Sequence, residues 1–241
     1  MKKIFKYLLL TVMVFNTTAF AKDTRNELKS LEETMKIYKK LNIDGELAKT
    51  IDYVYPPVFT ITPKQTLLDS FKMIKESGKA PTINSFTETI RTPLKSYEKG
   101  LYTVVEYTME MTMNTMPPVK KENKEEYAKV QEMLNNPEKL KSYKSFMIQM
   151  LKMQMGKDAV ISSKEDSMMV NIEKKSTMIA INENKSSWTF VEPAPQMIEH
   201  LKKVLPKEIV ENEKELFDVK VLTQEEQMAE MMKMMKASRE K

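Results

Sequence analysis

The stretch "LYTVVEYTMEMTMNTM" (101–116) decides the fold. Polarity alternates along it with a period of two, the signature of a strand with one apolar face. Leu101, Val105, Tyr107, Met109, Met111 and Met113 share one side, and Tyr102, Glu106, Thr108, Glu110 and Thr112 the other. A usual strand runs about five or six residues. One this long bends or is shared between layers, so the rest of the chain wraps around it. Pro117-Pro118 ends it, and the turn "EKG" (98–100) precedes it.

Upstream, the period lengthens. Leu28, Leu31, Met35, Tyr38 and Leu41 recur at steps of three and four, predicting an amphipathic helix over about 24–43 that stops at "NIDG". A shorter helical piece, "ELAKTIDYVY", ends at Pro56-Pro57, because proline disfavours helix in the residue before it. In "TPKQ" (62–65), Thr62 is placed to cap, Pro63 to begin the helix and Gln65 to close a capping box. The helix it opens carries Leu67, Leu68, Phe71 and Ile74. "TINSFTETIR" then reads as a strand.

Downstream lies a charged helical insertion (about 118–157), interrupted at "NNP", where Asn136 caps and Pro137 starts a second helix. Leu140, Tyr143, Met147 and Met150 form its stripe. Three short strands follow, in "SMMVNIEKK", "TMIAIN" and "SWTFVE", with "NENKS" among the turns between them. Two amphipathic pieces (195–205 and 206–216) lead to a Met-rich, charged tail helix over 218–241, opened by "TQEE". Helices followed by an antiparallel sheet give an α+β class.

The N-terminus gives the address. Lys2, Lys3 and Lys6 precede the apolar run "YLLLTVMVF" (7–15), too short to span a bilayer, and small residues stand at Ala19 and Ala21. Residues 1–21 are read as a signal peptide cut before Lys22, which places the mature chain in the periplasm or outside a bacterium, without a transmembrane segment. Net charge is +5, and the three signal lysines account for the excess over +2 in the mature chain. No basic patch is interleaved with aromatics, so nucleic acid is not an expected partner. With no cysteine, the exported fold is held by its core alone.

Several segments resemble secreted bacterial members of the nuclear transport factor 2-like superfamily, which includes SnoaL-like and ketosteroid-isomerase-like proteins. They are "YPPVFTITPKQTLLDSF" (55–71), "MGKDAV" (155–160), "KKSTMIAI" (174–181), "SWTFVE" (187–192) and "LKKVLPKEIVE" (201–211). The resemblance spans roughly 24–216 and rests on packing and turn residues. It implies one domain over 22–217, a cone of helices closed over a strongly curved antiparallel sheet. It also implies an apolar pocket at the wide end and, often, a homodimer. The superfamily holds isomerases and dehydratases as well as non-catalytic binding domains, so chemistry must come from the site.

The residues offer little chemistry. Four glycines, Gly45, Gly78, Gly100 and Gly156, are too scattered for a phosphate-cradling loop. The single histidine, His200, lies beside the Met197, Leu201 and Val204 stripe and is read as packing its ring on the sheet. Isomerase-type catalysis needs a buried carboxylate on the pocket face. Glu106 and Glu110 fall on the polar face of the long strand, and Asp52, beside Tyr53, is the acidic residue nearest the cone. Tyr38, Asp52, Tyr53, Tyr55, Phe59, Tyr107 and Trp188 are the candidates for lining a pocket for a small hydrophobic ligand, unless they simply fill the core.

Twenty methionines remain after the signal is removed. Thioethers select Cu(I), and Met228, Met231, Met232 and Met235 fall on one helix face. That spacing equally suits a helix docking on apolar surface, and most other methionines occupy positions that leucine or isoleucine could hold. The expected function is therefore an exported, non-catalytic binding or interaction module with no cofactor. The alternatives are a Cu(I)-binding or methionine-oxidation-buffering protein and a pocket enzyme of the isomerase or dehydratase type.

Overall fold

The computed structural model describes residues 24–90, 92–117, 124–155, 159–163, 167–184 and 186–218, together with Glu226, Ala229 and Met232. Residues 1–21, read from the sequence as a signal peptide, lie outside the described residues, as does most of the tail; Glu226, Ala229 and Met232 are helical.

Helix α1 (24–43) buries Leu31 and Met35 fully, the centre of the periodic stripe. Its end is fixed by backbone chemistry. Gly45 has φ +71, and the amide of Glu46 donates back to the Leu41 carbonyl at 2.9 Å. This is the left-handed cap that favours glycine. Helix α2 (Leu47–Thr50) and two 3-10 turns (Ile51–Tyr53 and Pro56–Thr60) lead to α3 (Lys64–Glu76).

The capping box at 62–65 does not form. Pro63 is itself the cap residue, with ψ 140, which leaves Thr62 one place too far from the first amides. Gln65 instead donates to Asp69 at 2.8 Å. Helix α3 buries no side chain, leaving Leu67, Leu68 and Phe71 half-covered and Met73 and Ile74 exposed.

Among the described residues six antiparallel strands form an open sheet: β1 (Thr82–Ile90), β2 (Lys95–Tyr97), β3 (Gly100–Asn114), β4 (Ala159–Ser163), β5 (Met169–Glu183) and β6 (Thr189–Val191). The order is β1-β3-β5-β4, with β2 paired to β3 and β6 to β5. The long strand is as predicted, but its partner is equally long. Gly100 pairs with Glu183 and Asn114 with Met169, without interruption. The expected break between 175 and 177 is absent because Lys174-Lys175-Ser176 pairs in unbroken register with Met109, Thr108 and Tyr107. Strands β2 and β4 are additional, and both are too short to show a period. A register shift at Asn84 bends the edge strand β1, a device that discourages pairing with other chains.

The polar-face assignment also needs correcting at one end of β3. Tyr102, Thr103, Val104 and Val105 are all buried. Consecutive burial means that both faces are covered there. On one face α1 packs over Val105, Tyr107, Phe86, Met178, Trp188 and Phe190. On the opposite face Tyr102, Ile179 and Ile181 meet the C-terminal helices α6 (Ile198–Val204), α7 (Lys207–Asn212) and α8 (Lys214–Phe217) through Ile198, Leu201, Ile209 and Phe217.

Between β3 and β4 the chain forms α4 (Lys124–Asn135) and α5 (Pro137–Met155). Asn136 Oδ1 accepts from the amides of Glu138 and Lys139, each at 3.1 Å, and Pro137 is the first helical residue. Leu151 and Ile148 of α5 cover Met111, Ile172 and Val170 at the far end of the α1 face. Among the described residues no helix is long and apolar enough to cross a membrane.

Candidate functional site

The structure brings together four of the seven residues expected to line a pocket. Tyr38 from α1 lies 6.0 Å from Tyr53 and 4.9 Å from Phe190, centroid to centroid. Tyr107 stacks on Phe86 at 4.9 Å, and Trp188 belongs to the same cluster. The rings fill the space between α1 and the sheet with one another: Trp188 is 1% and Tyr107 6% exposed.

The remaining three stand apart. Tyr55 is buried in the core of the opposite face, where its hydroxyl donates to Glu183 Oε1 at 2.9 Å. Phe59 is half-buried in the turn before α3. Asp52 is at the surface, with its carboxylate 2.7 Å from Lys64 Nζ, an exposed pair of little energetic weight. His200 is exposed as well. The buried stripe of its helix runs through Ile198, Leu201 and Leu205, and His200 falls off it.

One carboxylate does reach the aromatic cluster: Glu192, directly after β6. Tyr107 Oη donates to its Oε2 at 2.9 Å, while Lys174 Nζ (2.9 Å) and Ser176 Oγ (2.7 Å) donate to its Oε1. The sheet explains the convergence. Ser176 is the register partner of Tyr107, Lys174 is that of Met109, and Phe190 pairs with Ala180 on the same face. Glu192, two residues beyond Phe190, inherits its parity.

The electrostatics follow from the contacts. Burial, the largest single effect, pushes the Glu192 carboxyl up, but the Lys174 charge and the bonds from Ser176, Lys174 and Tyr107 together outweigh it, so the group lies below the usual glutamate range. Burial, reinforced by the Glu192 charge, pushes the Tyr107 phenol up. Burial likewise raises Tyr38, opposed by an interaction with Asn42 and aided by Glu192. The cluster thus holds a firmly ionised carboxylate and firmly protonated phenols. A general base is most effective with a pKa close to the working pH. Glu192 is displaced away from it, and the Tyr107 proton is already committed to Glu192.

No protein-family model, curated protein or solved structure matches the chain.

A second polar group fastens the opposite face. Lys95 on β2 contacts Glu213 at 2.6 Å and lies 5.8 Å from the Tyr102 ring centroid, and Asn212 Nδ2 donates to Tyr102 Oη at 3.1 Å. These contacts tie the end of α7 to the β2–β3 hairpin. Among the described residues no three His, Asp or Glu side chains gather as a metal site. Of the thioether candidates, Met228, Met231 and Met235 lie outside the described residues, and Met232 is 61% exposed.

The Glu192 network has a pH signature. Its folded pKa lies below the ordinary 4.5, so its contribution to stability is complete above that value. The contribution shrinks as pH falls beneath 4.5 and is gone once pH has dropped through the folded value. With the side chain 39% exposed, screening holds the total to about 1 kcal/mol or less. Urea titrations of the parent and Glu192→Gln should show a small gap at neutral pH that closes on acidification. A gap that stays constant or widens would contradict the assignment.

Proposed function

We propose that residues 22–241 form an exported, non-catalytic interaction module on a nuclear transport factor 2-like framework, with residues 1–21 as its signal peptide. The observation that carries the non-catalytic reading is Glu192. The carboxylate that joins the aromatic cluster is held ionised by Lys174, Ser176 and Tyr107, which leaves that cluster without a poised acid or base. The family assignment is supported by N-terminal helices packed on an antiparallel sheet and by the segments that resemble the superfamily.

Interaction through the outer surface is favoured over a ligand enclosed by the sheet. Four of the aromatic candidates, Tyr38, Tyr53, Tyr107 and Trp188, are consumed in one packed cluster, while large apolar side chains stand exposed elsewhere. Phe146 and Tyr127 on the helical insertion, Val160 on β4 and Met169 on β5 are 39%, 40%, 64% and 42% exposed. They all come from the insertion or from the strands that follow it. Val160 and Met169 lie on the sheet face opposite the one that α5 covers, so these side chains offer contact from more than one side of this end of the molecule.

Native mass spectrometry of the chain recovered from its own exported fraction tests this reading, because it reports ligand, metal and subunit number together. The expected result is a complex with a protein partner or a second copy. It should dissociate in a Phe146→Glu/Val160→Glu variant whose folded stability is within about 0.5 kcal/mol of the parent, as for surface changes. An isomerase or dehydratase activity abolished by Glu192→Gln at unchanged stability would overturn it.

A further inference from the structure

The core beneath α5 is rimmed with sulfur. Met109, Met111 and Met113 occupy alternate positions of β3 on the face that α5 covers, and Met155 joins them from the end of the helix. Met111 is buried at 4%, whereas Met109, Met113 and Met155 are half-buried around it. Among the described side chains of α5 only Lys144 and Leu151 are buried, and the Tyr143 hydroxyl donates to the Thr115 carbonyl at 2.9 Å. Met147, Met150 and Met153 on α5 itself are half-buried too, and other described methionines stand at either extreme. Met35 and Met178 are buried in the sheet core, and Met73, Met116 and Met169 are exposed. Met109, Met113 and Met155 are open to solvent and also part of a joint.

We propose that Met109, Met113 and Met155 form an oxidation site for hypohalous acids, and that their conversion to sulfoxides releases the α4–α5 hairpin from the sheet. The reaction balances with hypochlorous acid as the oxidant. The thioether sulfur loses two electrons and gains one S–O bond, the Cl–O bond breaks, chlorine leaves as chloride and the hydroxyl proton passes to water. A sulfoxide oxygen is a strong acceptor. At this joint the apolar side chains around it are Ile148, Leu151, Val170 and Ile172. The one cation in register with Met109 is Lys174, already committed to Glu192. Oxidation turns an apolar thioether into a polar, chiral group, which disrupts a methionine-rich apolar contact. The helix therefore lifts, uncovering Ile83, Val170 and Ile172 as a new apolar surface. This inference does not depend on which partner the module binds.

The test uses the full chain, titrated with hypochlorous acid, and reads peptide masses beside amide hydrogen exchange. Sulfoxides are expected at 109, 113 and 155, with exchange across residues 144–153 rising about tenfold or more, tenfold being 1.4 kcal/mol. Treatment with the two methionine sulfoxide reductases should restore protection. A Met109→Leu/Met113→Leu/Met155→Leu variant keeps the apolar volume and every methionine of the tail, so it should stay closed at the same dose. Oxidation of the three residues with α5 still protected would overturn the proposal. So would sulfoxides confined to Met73, Met116, Met169 and the tail, or a triple variant that opens as readily as the parent. Should that variant prove unstable before oxidant is added, the reductase arm on the parent decides. Protection that does not return once the sulfoxides are removed would also reject the switch.

Discussion

Trp188→Ala is expected to cost about 3–5 kcal/mol, the range for truncating a large buried aromatic side chain. Trp188 is 1% exposed and belongs to the cluster that joins α1 to the sheet through Leu31, Met35 and Phe190. Against a total stability of about 5–15 kcal/mol for a domain, a loss of that size leaves a marginal fold. The experiment separates core from pocket. A pocket tryptophan would sacrifice ligand affinity and leave unfolding nearly unchanged. A core tryptophan should lower the urea midpoint with little change in the slope. Because Trp188 is the only tryptophan, the transition must be followed by circular dichroism. Trp188→Phe is the matching control. The indole Nε1 is buried without a hydrogen-bond partner, so phenylalanine removes volume but breaks no protein hydrogen bond. It should cost about 1–2 kcal/mol, less than the alanine change.

The parts of the fold that were legible in the sequence are those with a long, single-sided period. Helix α1 and strand β3 each repeat their pattern over many residues, and "NNP" places a cap and a helix start at adjacent positions that the structure uses as written. Legibility fails where burial is two-sided. "LYTVV" contains no alternation to read at its middle, and Tyr102, assigned to the polar face, is fully buried under α7 and α8. It fails again at Lys174-Lys175-Ser176, where a polar run resembles a turn. In the sheet that run is a strand, because the facing residues of β3 supply its ladder and Glu192 its side-chain partner.

That second failure is also why the site was only half visible. Tyr38, Tyr53, Tyr107 and Trp188 could be gathered by residue type. Glu192, Lys174 and Ser176 could be found only by knowing that β5 is one strand in register with β3. Parity then carries Ser176 to Tyr107 and Lys174 to Met109, and the pairing of Phe190 with Ala180 brings Glu192 to the same face. Asp52, chosen as the acidic residue closest in sequence to the aromatics, sits in a 3-10 turn whose buried residue is Ile51, so its side chain is left to Lys64 at the surface.

The same register makes Gly100 the most demanding backbone position of the sheet. Gly100 opens β3, pairs with Tyr97 across the hairpin and with Glu183 on β5, and so is held from both sides. A Cβ there would be driven into the backbone carbonyl oxygen of Asn182 and would stand 3.1 Å from the Glu183 Cα. Neither neighbour is free to retreat: the Asn184 amide donates to the Lys99 carbonyl at 2.7 Å, and Asn182 Nδ2 is bonded to Glu27 on α1. Gly100→Ala should therefore destabilise the protein by about 2–4 kcal/mol, at or above the usual range for overpacking, because backbone rather than a side chain must move. Gly45→Ala is the informative comparison. Nothing lies within 4 Å of its Cβ position, and the strain there comes only from φ +71, for about 1 kcal/mol. Amide exchange should show the Gly100→Ala damage concentrated at residues 100–104 and 179–183, where the two long strands begin their pairing, with the end near Met113 and Val170 retaining its protection. A Gly100→Ala protein as stable as Gly45→Ala would mean that the hairpin can slide away from β5, and that the two long strands are not clamped in the register on which the Tyr107–Glu192 site depends.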